Sequence, residues 1–329
     1  MNVKKITKQT LMAAWMGLAV PGIALGLAVK LNHPPQDQAE PTDSWTASVE
    51  TQQPQPLMVA VLGEDGTVQQ MEMDTYLTGV VLAEMPASFD TEALKAQAVV
   101  ARTYALRRST VAPKHEENAV CTQAACCQGY VSAQRYADSG ASTESIQKVS
   151  QAVAATSGQV LTYDGQLIEA TYFSCSGGST EDAVAVWGTD IPYLQATDSP
   201  GEENAAYFED SVFFSPGEFA SCLGTSLWGS PETWLGAVTY TEGGGVETME
   251  IGDTVYEGTQ LRSLLGLRST VFTMTAQEDG VLVQTRGFGH RVGMSQYGAE
   301  AMAVSGSTYE DILTHYYTGT VLEEYGGND

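Results

Sequence analysis

The sequence predicts an α+β fold of mixed helices and antiparallel β-hairpins, on three observations. Asp-Gly pairs at Asp65-Gly66, Asp164-Gly165 and Asp279-Gly280 each separate two β-rich runs. Such pairs mark hairpins, because both central residues of a type I′ turn need positive φ. Apolar residues recur at helical spacing in 74–85, 91–109, 144–156, 258–266, 295–304 and 308–317. No regular βαβ alternation joins them, so a doubly wound parallel sheet is excluded.

The hairpin runs are Leu57–Leu62 with Val68–Met73, Gln159–Tyr163 with Leu167–Phe173, and Val271–Thr275 with Val281–Thr285. Asp74 and Asp90 read as N-caps of the first two helices, with Pro86 as a stop to the first. Ser307 with Glu310 reads as a capping box for the last. There is no internal repeat.

The 329 residues carry 40 acidic and 15 basic side chains, a formal charge of −25. At 43% hydrophobic and 17% charged the chain is globular material rather than an acidic disordered one. Phosphate binding needs clustered Lys and Arg, and none stand outside the N-terminus, which excludes nucleic acid.

Residues 1–10 hold Lys4, Lys5 and Lys8, and Leu11 to Val29 is an uncharged run of 19 residues closed by Lys30. At 1.5 Å per residue that run spans a bilayer core of roughly 30 Å. The lysine asymmetry puts residues 1–10 in the cytoplasm as a tail and the body outside it. A cleaved signal peptide is the competing reading. The run's length and the lack of a small-x-small site favour an uncleaved transmembrane anchor over 11–29. Residues 30–56 are rich in proline and polar residues and read as a stalk, with the body at 57–329.

Two features of the body bear on chemistry. Leu77, Val80, Val81 and Glu84 fall on one stripe of the first helix. A carboxyl ending an apolar face is desolvated, which raises its pKa toward the range of a general acid, unless the last turn frays into solvent. On the second helix Arg102 lies among Ala98, Val99, Ala105 and Leu106, so it needs a carboxylate or carbonyl partner or must snorkel. Separately, His115, Cys121, Cys126 and Cys127 crowd an insert at about 109–130. Three thiols and an imidazole are a zinc-type donor set, and a disulfide among them is the alternative.

Taken together, Glu84-Met-Pro86, the run Glu92–Tyr104, Tyr172-Phe-Ser-Cys-Ser-Gly-Gly-Ser-Thr-Glu181, Trp187 and Gly289-His-Arg-Val-Gly-Met-Ser-Gln-Tyr-Gly-Ala299 resemble the stage II sporulation protein D / amidase-enhancer family. The blocks follow the family's order across nearly the whole body. The resemblance implies a membrane-anchored lytic transglycosylase that cuts denuded peptidoglycan glycan strands during forespore engulfment. The rival functions are a glycan-binding amidase activator that does not cut, and a muramidase that uses water.

By the same resemblance Glu84 is the catalytic acid of a glycan-binding cleft. Arg102, Ser174, Ser176, Gly177, Glu181, Trp187, His290, Gln296 and Tyr297 are its expected substrate-binding residues. Some family members hold a structural zinc with two Cys and two His. His115, Cys121 and Cys127 match that spacing, and Cys126 stands where the second His would be. The implied partners are the stage II sporulation proteins P and M, and the implied place is the mother-cell membrane facing the septum. One carboxyl suffices for such chemistry, whereas ordinary glycosidases need two.

Overall fold

A computed structural model describes residues 56–326. The expected tail 1–10, span 11–29 and nearly all of the stalk 30–56 lie outside the described residues. No described helix is long and apolar enough to cross a membrane.

The body is built on two hydrophobic cores. The first begins with the antiparallel pair β1 (Met58–Leu62) and β2 (Val68–Glu72), followed by α1 (Met73–Glu84) and α2 (Thr91–Thr110). A short β3 (Val120–Cys121) adds to β1 in parallel and carries the first insert cysteine. Two helices come next, α3 (Ala133–Asp138) and α4 (Thr143–Ala155). They lead into β4 (Gln159–Tyr163), β5 (Gln166–Leu167), β6 (Tyr172–Phe173) and α5 (Ala183–Trp187).

α2 is the central element of this core. Its small residues let α1, α4, α8 (Gln296–Val304) and α9 (Tyr309–Tyr316) approach it, so it is buried on almost every side from Ala93 to Leu106. A helix buried all round shows no amphipathic stripe, and its all-round apolar and small composition matches that position.

The second core belongs to β7 (Glu209–Phe214), α6 (Pro216–Leu223), β8 (Leu235–Tyr240), β9 (Val246–Ile251), β10 (Thr254–Glu257), α7 (Gly258–Leu264), β11 (Val271–Gln277) and β12 (Gly280–Arg286). They form two antiparallel three-stranded sheets, ordered β11-β12-β7 and β10-β9-β8. Between them pack Phe219, Trp234, Ile251, Leu261, Phe272 and Val281. The chain then returns to the first core through β13 (Met294–Ser295), parallel to β6, and through α8, α9 and β14 (Val321–Glu324), antiparallel to β4. The β-rich half is therefore an excursion between α5 and β13.

Several local expectations shift. Of the three Asp-Gly pairs, only Asp164-Gly165 has both residues at positive φ, 50° and 71°. The Asp65-Gly66 pair sits in a longer loop, where the Asp65 carboxylate accepts from Thr67 N–H at 3.0 Å. The β11–β12 turn falls on Glu278-Asp279, with Gly280 already paired to Gln277. A Cβ at Gly280 would lie 2.2 Å from the Phe214 carbonyl oxygen, so glycine serves the neighbouring strand and not the turn.

The run 167–173 splits, because β5 ends at Leu167 and Tyr172–Phe173 pairs instead with β13. Asp74 does not cap α1; the helix starts directly from β2 with Met73 N–H on Leu57 O at 2.8 Å, leaving Asp74 free to face Arg102. Asp90 does cap α2, accepting from Glu92 N–H at 2.9 Å. The last capping box is Thr308 with Asp311, one residue beyond Ser307 and Glu310.

Candidate active site

A cleft of about 870 Å³ runs along the first core and its junction with the second. The C-terminal ends of α1 and α2 supply Glu84, Tyr104 and Arg108. The insert supplies Lys114 and the turn Ala124–Cys127, while β6 and its flanks supply Glu169 to Ser174. Trp187 closes α5, and Phe288, Gly289, His290 and Gln296 complete the wall.

Glu84 stands where the stripe of α1 puts it, one turn beyond the fully buried Leu77, Val80 and Val81. Burial raises its pKa, because the charged form loses hydration. Opposing this, Gly129 N–H donates to Glu84 Oε1 at 2.6 Å, and the side chains of Tyr172 and Gln296 beside it also act downward. Gln296 Nε2 is itself buried and completes no hydrogen bond, which leaves a donor at the carboxyl's side.

Gly129 is held in place by its neighbour. The buried Gln128 accepts from Tyr76 Oη at 3.3 Å and donates to Tyr172 Oη at 3.2 Å and to Ala101 O at 3.4 Å. Tyr172 lies beside Glu84, and burial first, then that charge, push its phenol pKa well up, so it stays protonated.

His290 is neutral at physiological pH. Burial, with the Arg262 charge nearby, lowers its pKa to about 4. Its Nδ1 accepts from Val292 N–H at 3.1 Å. Trp187 and Phe173 lie 5.5 and 5.6 Å from its ring centre. Trp187 lines the cleft and remains 42% exposed. Aromatic faces of this kind suit the apolar faces of a pyranose.

Glu169 is a second carboxylate in the lining, and both of its oxygens are taken. Arg107 Nε donates to Oε2 at 3.0 Å and Arg108 donates to Oε1. It is not set up as a free base or nucleophile.

Glu84, Ser174, Trp187, His290 and Gln296 thus meet in one cleft, and five expected substrate-binding residues do not. Arg102 is fully buried, donating to the carbonyls of Val153 and Thr156 at the end of α4, to Gln159 O and to Asp74. A cation there satisfies helix-end carbonyls, which is a folding role. Glu181 is equally buried, paired with Arg291 at 2.8 Å and accepting from Thr241 and Gly245. Ser176 and Gly177 donate to the buried Glu202. Tyr297 packs edge-on against Phe89, 5.0 Å between ring centres.

Tyr172, Gln128, Gly129 and Lys114 join the site without having been singled out for it by their residue types. Tyr172 heads one of the motif blocks, and Gln128-Gly129 directly follows the adjacent Cys126 and Cys127; closeness to those motifs is the signal the sequence held.

His115, Cys121, Cys126 and Cys127 converge, with their four donor atoms within 4.8 Å of one another. His115 Nε2 is 3.4 Å from Cys126 Sγ and 3.5 Å from Cys127 Sγ. Tetrahedral zinc with ordinary bond lengths requires N···S separations of about 3.5 Å, so the donors fit a metal of that size. All five cysteines are free thiols. Burial opposes ionisation of Cys121, but hydrogen bonds from the Gln123 backbone and from the other two thiols outweigh it and lower its pKa. Burial pushes Cys127 up to about 11.

Residues 63–163 match the family described as Stage II sporulation protein (SpoIID). The chain is 41% identical over 263 residues to stage II sporulation protein D of Bacillus subtilis (strain 168), covering 78% of this chain and 76% of that protein. It is 37% identical, with the same coverage, to stage II sporulation protein D of Bacillus amyloliquefaciens. Against the amidase enhancer of Bacillus subtilis (strain 168) it is 29% identical over 306 residues, 76% of this chain and 40% of that protein. With a relative this similar along most of both chains, the chain belongs to the stage II sporulation protein D family.

Proposed function

We propose that the protein is a peptidoglycan lytic transglycosylase of sporulation, anchored by residues 11–29 and cutting denuded glycan strands, with Glu84 as its acid and then its base. The observation that carries this is a buried carboxyl with a raised pKa lining a cleft that also holds the partly exposed Trp187. Protonated Glu84 gives its proton to the glycosidic oxygen as the C1–O bond breaks. The resulting carboxylate takes the proton of the muramic acid 6-hydroxyl, whose oxygen closes on C1 as a 1,6-anhydro ring. No water is consumed and Glu84 ends protonated as it began. Gly129 N–H and the Gln296 amide stabilise the carboxylate between the two steps. His290, neutral and tied to the backbone, sets the orientation of Trp187.

Zinc is the metal proposed for His115, Cys121, Cys126 and Cys127. Bound there it supplies structure, since protein donors fill all four positions. The stage II sporulation proteins P and M are the proposed partners, and the mother-cell membrane facing the septum the proposed location.

The test is product analysis of the purified chain on denuded glycan. Products ending in 1,6-anhydro muramic acid resist borohydride reduction. Glu84→Gln abolishes cleavage while glycan binding persists, since loss of general acid catalysis alone costs about 10²–10⁴-fold. Reducible ends would instead indicate a muramidase using water. The similarity to a protein named amidase enhancer favours a second reading, a glycan-binding amidase activator. It is supported if the wild-type chain binds glycan and cuts none.

A further inference from the structure

We propose that Lys114 forms a carboxylate subsite in the cleft, taking the free lactyl carboxylate of a muramic acid residue and so distinguishing glycan stripped of its peptides. This rests on reading the cleft as a glycan site. In peptide-bearing wall that carboxylate is an amide and carries no charge.

The chain has a formal charge of −25, and a denuded strand is itself a polyanion with one carboxylate per disaccharide. Approach is therefore repulsive unless the cleft is locally positive. Arg107 and Arg108 both pair with the one carboxylate Glu169, and Lys114 is a further cation in the cleft lining beside Arg108 and Glu169. The two arginines neutralise Glu169 and are spent on it. Lys114 makes no ion pair among the described residues.

Lys114 is nevertheless held in place. Its Nζ donates to Tyr104 Oη at 3.1 Å and to Cys126 O at 2.6 Å, and lies 5.7 Å from the centre of the Tyr104 ring. Arg108 stacks on the same ring at 4.9 Å, and its Nε is buried with no hydrogen-bond partner. Two donations leave one of the three ammonium protons unused, on a side chain exposed at the rim of the cleft that holds Glu84. A fixed cation with a spare donor, its neighbouring carboxylate already cancelled, fits an incoming carboxylate. Charge-assisted hydrogen bonds are the stronger kind, and they vanish when the acceptor becomes an uncharged amide.

Binding is measured on the full chain carrying Glu84→Gln, so that turnover plays no part and failure of the lytic reading is separately visible. The probes are denuded glycan, the same glycan with its lactyl carboxylates converted to methyl amides, and a chito-oligosaccharide of equal length. The expected result is about tenfold weaker binding of the amidated glycan at low salt, a gap that closes as salt rises. Lys114→Gln should lose about tenfold on denuded glycan and nothing on the two uncharged probes, with Lys114→Arg restoring most of it. Equal affinity of the parent for the free-acid and amidated glycans overturns the proposal, however the Lys114 variants fold. Equal losses by Lys114→Gln on all three probes overturn it as well.

Discussion

At the scale of single residues, the candidate chemistry depends on how two opposing effects divide at Glu84. Desolvation raises the pKa, and the 2.6 Å bond from Gly129 N–H lowers it, because that donor favours the charged form. Gly129 is glycine for a steric reason, since a Cβ there would come within 2.9 Å of Glu84 Oε1. Gly129→Ala should push the carboxyl away, lengthen the bond and raise the pKa further. An acid must be protonated to act, so the alkaline limb of the rate profile should move to higher pH. Displacement of the proton donor should also lower the maximal rate by about ten- to a hundredfold. An unmoved limb in a pH–rate profile would mean that Gly129 does not tune the acid. The stripe Leu77, Val80, Val81, Glu84 was readable because helical period is local. The identity of the group facing the carboxyl was not, because Gly129 is 45 residues away in the chain.

At the scale of elements, the insert 109–130 couples the Cys/His cluster to that same carboxyl. Cys126 and Cys127 precede Gln128 and Gly129 directly, so whatever fixes the thiols fixes the backbone that meets Glu84. Zinc bound by deprotonated thiols stabilises the folded state relative to the unfolded one. Purified protein should carry close to one zinc, and Cys121→Ser with Cys127→Ser should remove it. Chelator should then lower the melting temperature in a thermal scan and reduce cleavage without changing the products. Metal analysis finding no zinc, with a melting temperature indifferent to chelator, would dismiss the site. The clustering was legible in the residue spacing. The need of Arg102 for a carboxylate or carbonyl partner was legible as well, and Asp74 with the carbonyls of Val153, Thr156 and Gln159 meets it; which segments supply those partners was not legible, since they lie far along the chain.

At the scale of the whole molecule, two cores are tied together by one buried ion pair. Arg291, with φ of 67°, bonds Glu181, Ser176 O and Ser179 O on one side and Thr270 and Gly243 O of the β-rich half on the other. Both partners are about 1% exposed. Removing one leaves the other charge buried and alone, which typically costs about 3–5 kcal/mol. Arg291→Met should lower the denaturant midpoint by an amount of that order, and the β-rich half should unfold first, splitting one transition into two. Glu181→Gln should cost less, because its amide still accepts from Thr241 and Gly245. A single transition with an unchanged midpoint in both variants would show that the pair does not join the cores. Its neighbour His290 lines the cleft, so the same tie sets the wall of the site.

The sequence by itself determined the α+β class, the positions of α1, α2, α4, α7, α8 and α9 but not of the short α3, α5 and α6, the stripe that ends in Glu84, the clustering of His115 with three cysteines, and the family. Each of these is written in local spacing or in motif blocks read in order. The tertiary structure alone decided which motif residues face the cleft. Glu181 and Ser176 stand in the same block as Ser174, and Arg102 in the block that follows Glu84, yet they are turned inward to pair with Arg291, Glu202 and the end of α4. Such buried polar groups must find partners from distant segments, and which segment arrives is settled by packing two cores against each other, not by spacing along the chain.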